Sequence, residues 1–168
     1  ANAQKKQQDE HKAKDYVPML PDDFREIDAE TRSWLYPIYP FKTQEEQQQF
    51  INHFHPANLL SRHPKARPLI TASELASLQS MVQRYIQAMK LSPDIIVQEG
   101  VMCAWMKQNT DDPKSEDPKG VEMVPAIAYC NYLDGKIINV KFRSVQQHPI
   151  TGEWSKFFCQ VSPTKPCA

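Results

Sequence analysis

The sequence predicts an α+β protein: a helical N-terminal half followed by a small antiparallel sheet built on a β-hairpin at 126–143. Three observations carry that expectation. Two capping boxes, Thr43-Gln44-Glu45-Glu46 and Thr71-Ala72-Ser73-Glu74, mark helix starts. After the second box, apolar residues recur at three- and four-residue spacing. Asp134-Gly135 lies between two strand-like runs, and both residue types tolerate the positive φ of a two-residue hairpin turn.

Residues 1–16 are Gln, Lys, Asp, Glu and Ala with almost nothing to bury, which predicts a charged linker or helical arm. Residues 17–168 are expected to form one α+β domain, helical over 43–100 and sheet over 101–161. In the aromatic passage from Tyr16 to Phe41, residues Phe24, Ile27, Trp34, Leu35, Tyr36, Ile38 and Tyr39 can pack, while Pro37 and Pro40 forbid a long helix. The first capped helix should run to about Phe54 and stop before Pro56. The second carries the stripe Leu75, Leu78, Met81, Val82, Tyr85, Ile86 and Met89. Ser92-Pro93 reads as an N-cap with proline in the first turn of a short helix ending at Gly100.

Strands should follow at Val101–Lys107, on both sides of the hairpin turn, and at Trp154–Val161. The polar stretch 108–120 reads as an exposed loop; its acids Asp111, Asp112, Glu116 and Asp117 are read as solvated, not as a cation site. The turn fixes a register in which Leu133 pairs with Lys136. Ile127, Tyr129 and Asn131 then share a core face with Phe142, Val140 and Ile138. The other face carries Ala128, Cys130 and Tyr132 with Lys141, Asn139 and Ile137, and Arg143 beyond. Asn139, Lys141 and Arg143 therefore form a row along one side of a single strand, away from that core.

Twenty basic residues balance twenty acidic ones, so net charge argues neither for nor against a polyanion partner. From Lys136 onward, however, five cations stand against the single acid Glu153, a local excess that can guide a polyanion. The four cysteines form no CxxC pair, which excludes a zinc ribbon and suggests reduced thiols in a cytoplasmic protein. No apolar run reaches the length of a membrane span. His53, His55 and His63 lack a fourth ligand at suitable spacing and read as loop or helix-end residues. With four glycines there is no phosphate-cradling loop, and no nucleophile has an activating context, so no catalytic residue and no metal ligand is assigned.

Three segments, in order, resemble the DNA primases with a TOPRIM catalytic domain, of the DnaG type and its phage relatives. They are Ser92-Pro93-Asp94 to Gly100, then Ala126 to Arg143 with Asn139-Val140-Lys141-Phe142-Arg143, then Lys156-Phe157-Phe158 followed by Ser162-Pro163-Thr164. The resemblance covers about residues 70–168. It implies the N-terminal part of the catalytic core, ahead of the TOPRIM acids and behind a zinc-binding module, so that the chain is a fragment of a longer protein and is not active alone. It implies a template- and nucleotide-positioning role in RNA primer synthesis, with Arg143 and Lys156 at matching positions and Lys141 beside Arg143. The implied partners are single-stranded DNA, nucleotides and a replicative helicase. No cofactor is expected in the fragment, and Mg or Mn is expected in the full-length nucleotidyltransferase. Tyr132, Trp154, Phe157 and Phe158 are candidate stacking platforms. Two alternatives stand beside this reading. One is a secreted or periplasmic α+β interaction domain, suggested by the Ala1 start; the other is a purely structural adaptor.

Overall fold

The computed structural model describes residues 25–110 and 120–161. Its described elements are α1 (Ala29–Arg32), β1 (Leu35–Pro37), α2 (Gln44–Phe54), α3 (Leu59–Arg62), α4 (Ala72–Ala88), α5 (Pro93–Gln98), β2 (Met102–Thr110), β3 (Gly120–Leu133), β4 (Lys136–Ser144) and β5 (Phe158–Val161). The fold is α+β, with one five-stranded antiparallel sheet in the order β1-β2-β3-β4-β5. The charged arm, the four acids at 111–117 and the Ser162-Pro163-Thr164 turn lie outside the described residues.

Local chemistry sets the helix starts. The Thr43 hydroxyl accepts from the Glu46 amide at 3.1 Å, and the Glu46 carboxylate accepts from the Lys42 amide. Thr71 caps α4 in the same way, and its hydroxyl also donates to Glu74. The α4 stripe buries Leu78, Val82, Tyr85 and Ile86. After α5 the chain reverses at Gly100, whose φ is +64°. A Cβ there would lie 2.6 Å from the Tyr132 hydroxyl, so a glycine suits this position twice over.

The N-terminal half is not purely helical. Leu35-Tyr36-Pro37 forms the edge strand, pairing with Ala104, Cys103 and Met102, and Pro37 is tolerated because it sits at a sheet edge. The polar stretch expected to be a loop also begins and ends as strand, since Gln108, Asn109 and Thr110 pair with Glu122, Val121 and Gly120.

Both sheet faces are covered. On one, Leu35, Ala104, Met106, Val124, Val140 and Phe142 pack under Ile27 and Trp34. On the other, Tyr36, Cys103 and Ile127 pack under Leu78, Val82, Tyr85 and Ile86 of α4. This double burial corrects the expected hairpin register. Asp134 and Gly135 have φ of 50° and 77°, as the turn requires, and Leu133 pairs with Lys136 and Tyr132 with Ile137. The register then slips by one between Tyr132 and Asn131, so Asn131 faces Asn139 and Ile138 is the extra residue of a β-bulge. The bulge lets Ile137 join Val140 and Phe142 in one core, where strict alternation would have put it beside Lys141. As a result Ala128 and Cys130, not Ile127 and Tyr129, share the Phe142 face.

The cysteines also differ from expectation. Cys159 is disulfide-bonded, while Cys103 and Cys130 are free. Burial raises both free thiols, Cys130 to about 12, which keeps them as unreactive thiols.

His55, the C-cap of α2, is buried against Tyr36, with ring centroids 4.6 Å apart. Its Nε2 donates to the Leu35 carbonyl at 3.2 Å, and its Nδ1 has no partner. Protonation would place a second N–H in a site that cannot satisfy it. Burial accordingly lowers its pKa, with the Leu35 bond opposing. The unfolded chain then binds the proton more readily, so this contribution to stability is complete above about pH 6.5 and declines as pH falls through the lowered folded value. Thermal unfolding is expected at a lower temperature at pH 5.5 than at pH 7.5. His55→Gln should shrink that difference.

Candidate nucleic-acid interface

Strand β4 places Asn139, Lys141 and Arg143 on one side at alternate positions, and the bulge at Ile138 leaves that row intact. The row does not lie on a purely solvated face, as the sequence suggested. It shares its side with Ile127 and Tyr129, at the margin of the layer covered by α4. Lys141 is exposed, and its ammonium lies 5.1 Å from the ring centroid of Phe158 on β5, a side chain 60 % exposed. Arg143 is half-buried, with its guanidinium carbon 5.8 Å from the ring centroid of Tyr85 on α4. These are cation–π geometries, favourable because the ring face carries negative quadrupole density.

Neither cation is neutralised by a carboxylate among the described residues. The ion pairs among the described residues join Arg32 and His53 to Glu26. The Arg143 Nε and the Asn139 Oδ1 are both buried without a hydrogen-bond partner. A donor and an acceptor flanking Lys141 are thus enclosed on the strand without an answering group. The Nε is out of reach of an incoming phosphate as it stands, so a charge-assisted bond of about 1.5–3 kcal/mol requires the half-buried guanidinium to present its outer N–H groups. Burial, first of all, holds the Tyr129 hydroxyl above the ordinary phenol range; Tyr85 adds to this and Arg143 opposes it.

Lys156 is exposed, but it precedes β5 instead of lying on it. In the β4–β5 register Val145 stands opposite Lys156 as a non-hydrogen-bonded pair, and its amide donates to the Pro125 carbonyl on the β3 side at 2.9 Å, as alternation along the strand requires. The same register continues on either side, with Ser144 bonded to Phe157 and Ser155 to Gln146. Trp154 packs with the α4 layer and Phe157 with the opposite one, so alternation puts Lys156 on the side of Lys141 and Arg143. The three expected cations therefore share one side of the sheet, and only the first two touch the aromatic rings just described.

Of the candidate platforms, Phe158 combines exposure with a cation. Tyr132 instead donates to the Gly100 carbonyl at 2.6 Å. Phe157 and Trp154 are partly buried against the two cores. Sequence reasoning assigned Tyr85 to packing alone and missed it as the ring under Arg143. It also missed Arg67, which lies over Trp34 at 4.7 Å, donates to the Trp105 carbonyl and is lowered to about 10 by burial. Arg67 stands between Pro64 and Pro68 with no pattern to single it out. Its role is to fasten the 64–70 segment to the sheet, together with the bond from its amide to Ser33.

Among the described residues, no three His, Cys, Asp or Glu side chains gather into a group that could hold a metal ion. His53 instead meets Glu26, and His55 the Leu35 carbonyl. No described helix is long and apolar enough to cross a membrane. No family model matches this chain, and no curated protein or solved structure matches it either.

Proposed function

We propose that this chain is the template- and nucleotide-positioning subdomain of a TOPRIM-type DNA primase, serving RNA primer synthesis in DNA replication. The observation that carries the reading is the unpaired row on β4. Lys141 and Arg143 face one side, no carboxylate answers them among the described residues, and the exposed ring of Phe158 lies beside Lys141 while the buried Tyr85 supports Arg143 from within. Nonspecific single-strand binding combines such cations with aromatic platforms. Phosphate contacts of this kind set position without reading sequence. Lys156 extends the row. In this reading the protein works in the cytoplasm on single-stranded DNA and nucleotides, alongside a replicative helicase. Mg or Mn is held by carboxylates of the longer enzyme, not by residues described here.

The test is priming by the longer protein. Arg143→Ala with Lys156→Ala is expected to lower primer synthesis about tenfold or more, equivalent to losing one charge-assisted phosphate bond, with the circular dichroism unchanged. Wild-type priming by the folded double variant would remove the assignment.

One observation favours a second reading, a secreted or periplasmic α+β protein-interaction domain without enzymatic activity. Cys159 is disulfide-bonded, and such bonds persist in oxidising compartments. Thiol titration of the natural protein under denaturing conditions separates the two. Four reactive thiols are expected for the primase reading, in which the cytosol keeps the Cys159 bridge reduced, and fewer for the secreted one.

A further inference from the structure

A cleft of about 900 Å3 opens between α4 and the segment 145–155, with Met81 and Arg84 on the helix side and His148, Glu153 and Trp154 on the other. That volume lies within the range of small-ligand sites, about 300–1,000 Å3. Arg84 is exposed and makes no ion pair with any described residue. The His148 Nδ1 is occupied, accepting from the amides of Ile150 and Thr151 at 3.2 and 3.1 Å. The neutral ring therefore carries its proton on Nε2, a donor. Trp154 forms part of the wall and meets Tyr85 edge to face at 5.3 Å. Tyr85 is the ring that carries Arg143. The cleft and the cationic row are thus joined through a single tyrosine.

We propose that this cleft receives one nucleotide of a single-stranded nucleic acid, the base against Trp154 and the phosphate at Arg84. The inference rests on the single-strand reading above and deepens it by naming a base-holding site outside the β4 row. Trp154 offers the ring surface that any base can stack on. Glu153, a carboxylate on the same lining, keeps the phosphate at the Arg84 wall. The donor on His148 faces the polar edge of a base. The strand then continues past Tyr85 towards Arg143.

The experiment compares a twelve-residue oligothymidylate with an abasic strand of equal length, both at low salt, on the 168-residue protein. Thymidylate is expected to bind about tenfold more tightly and to quench tryptophan emission. Trp154→Phe should abolish the quenching, and Trp154→Ala should bring the two affinities together. Arg84→Ala, an exposed change that leaves the core alone, should weaken the thymidylate strand several-fold and covers the case in which Trp154→Ala fails to fold. Salt-sensitive binding with equal affinity for both strands, or quenching that survives Trp154→Phe, overturns the cleft and leaves the β4 reading in place. Binding of neither strand removes both.

Discussion

Phe142→Ala is expected to remove about 3–5 kcal/mol of folding stability, the usual range for a fully buried aromatic. The ring has no exposed surface and lies with its centroid 6.0 Å from that of Trp34. It also stands at the centre of the cluster that holds Leu35, Met106, Val124 and Val140. Because domains of ordinary stability have only about 5–15 kcal/mol in total, most of the margin would go. Urea titration followed by circular dichroism checks it: the midpoint should fall steeply while the slope stays constant. Phe142→Leu should cost clearly less, since it leaves a smaller cavity. Equal midpoints for Phe142→Ala and the wild type would mean that the two-sided sheet is wrong.

The same residue shows what the sequence made legible. The helix starts followed from residue chemistry that acts within one turn, at Thr43 and Thr71, and the structure places both caps where the boxes predict. The hairpin turn was legible for the same reason. A turn, however, dictates only the pairs next to it. Beyond Tyr132 the register answers to burial on both faces, and the bulge at Ile138 puts Ile137 and Phe142 in one core. A reading that assumed one buried face and one wet face therefore assigned Ile127 to the wrong side. β1 was hidden because three residues, one of them proline, make no periodic signal. Strand pairing at 108–110 was hidden because neighbours, not side-chain polarity, decide it.

The site was partly legible. Alternation along one strand suffices to align Lys141 with Arg143, and that survived the bulge. What Arg143 rests on was not readable: Tyr85 is far away in sequence and looks like any other member of an apolar stripe. The cleft beside Trp154 is equally invisible from sequence, because it forms where α4 passes a loop and no motif marks it. Cys159 was misread because a single bridge between unpatterned cysteines leaves no spacing signature.

In an Arg84→Ala background, which isolates the sheet cations from the cleft, binding of single-stranded DNA is expected to weaken about twentyfold between 50 and 200 mM salt. Each neutralised phosphate of a single strand contributes about −0.7 to the slope of log affinity against log salt, so three cations give a slope of about −2. Removing Lys141 and Arg143 together should leave Lys156 alone, a slope of about −0.7, and only a two- to threefold change over the same range. Fluorescence anisotropy with a labelled strand measures both slopes, and urea unfolding shows that neither variant loses its fold. The structure predicts a further division of labour between the two residues. Lys141 is exposed and acts as a point charge. Arg143 is half-buried with its guanidinium over Tyr85, so its planar shape and directed outer donors matter as well as its charge. Arg143→Lys should therefore lower affinity while the slope stays near −2, because the counterion count is unchanged and the directed donor is lost. A slope unmoved by the double variant would show that the strand, if bound, lies elsewhere.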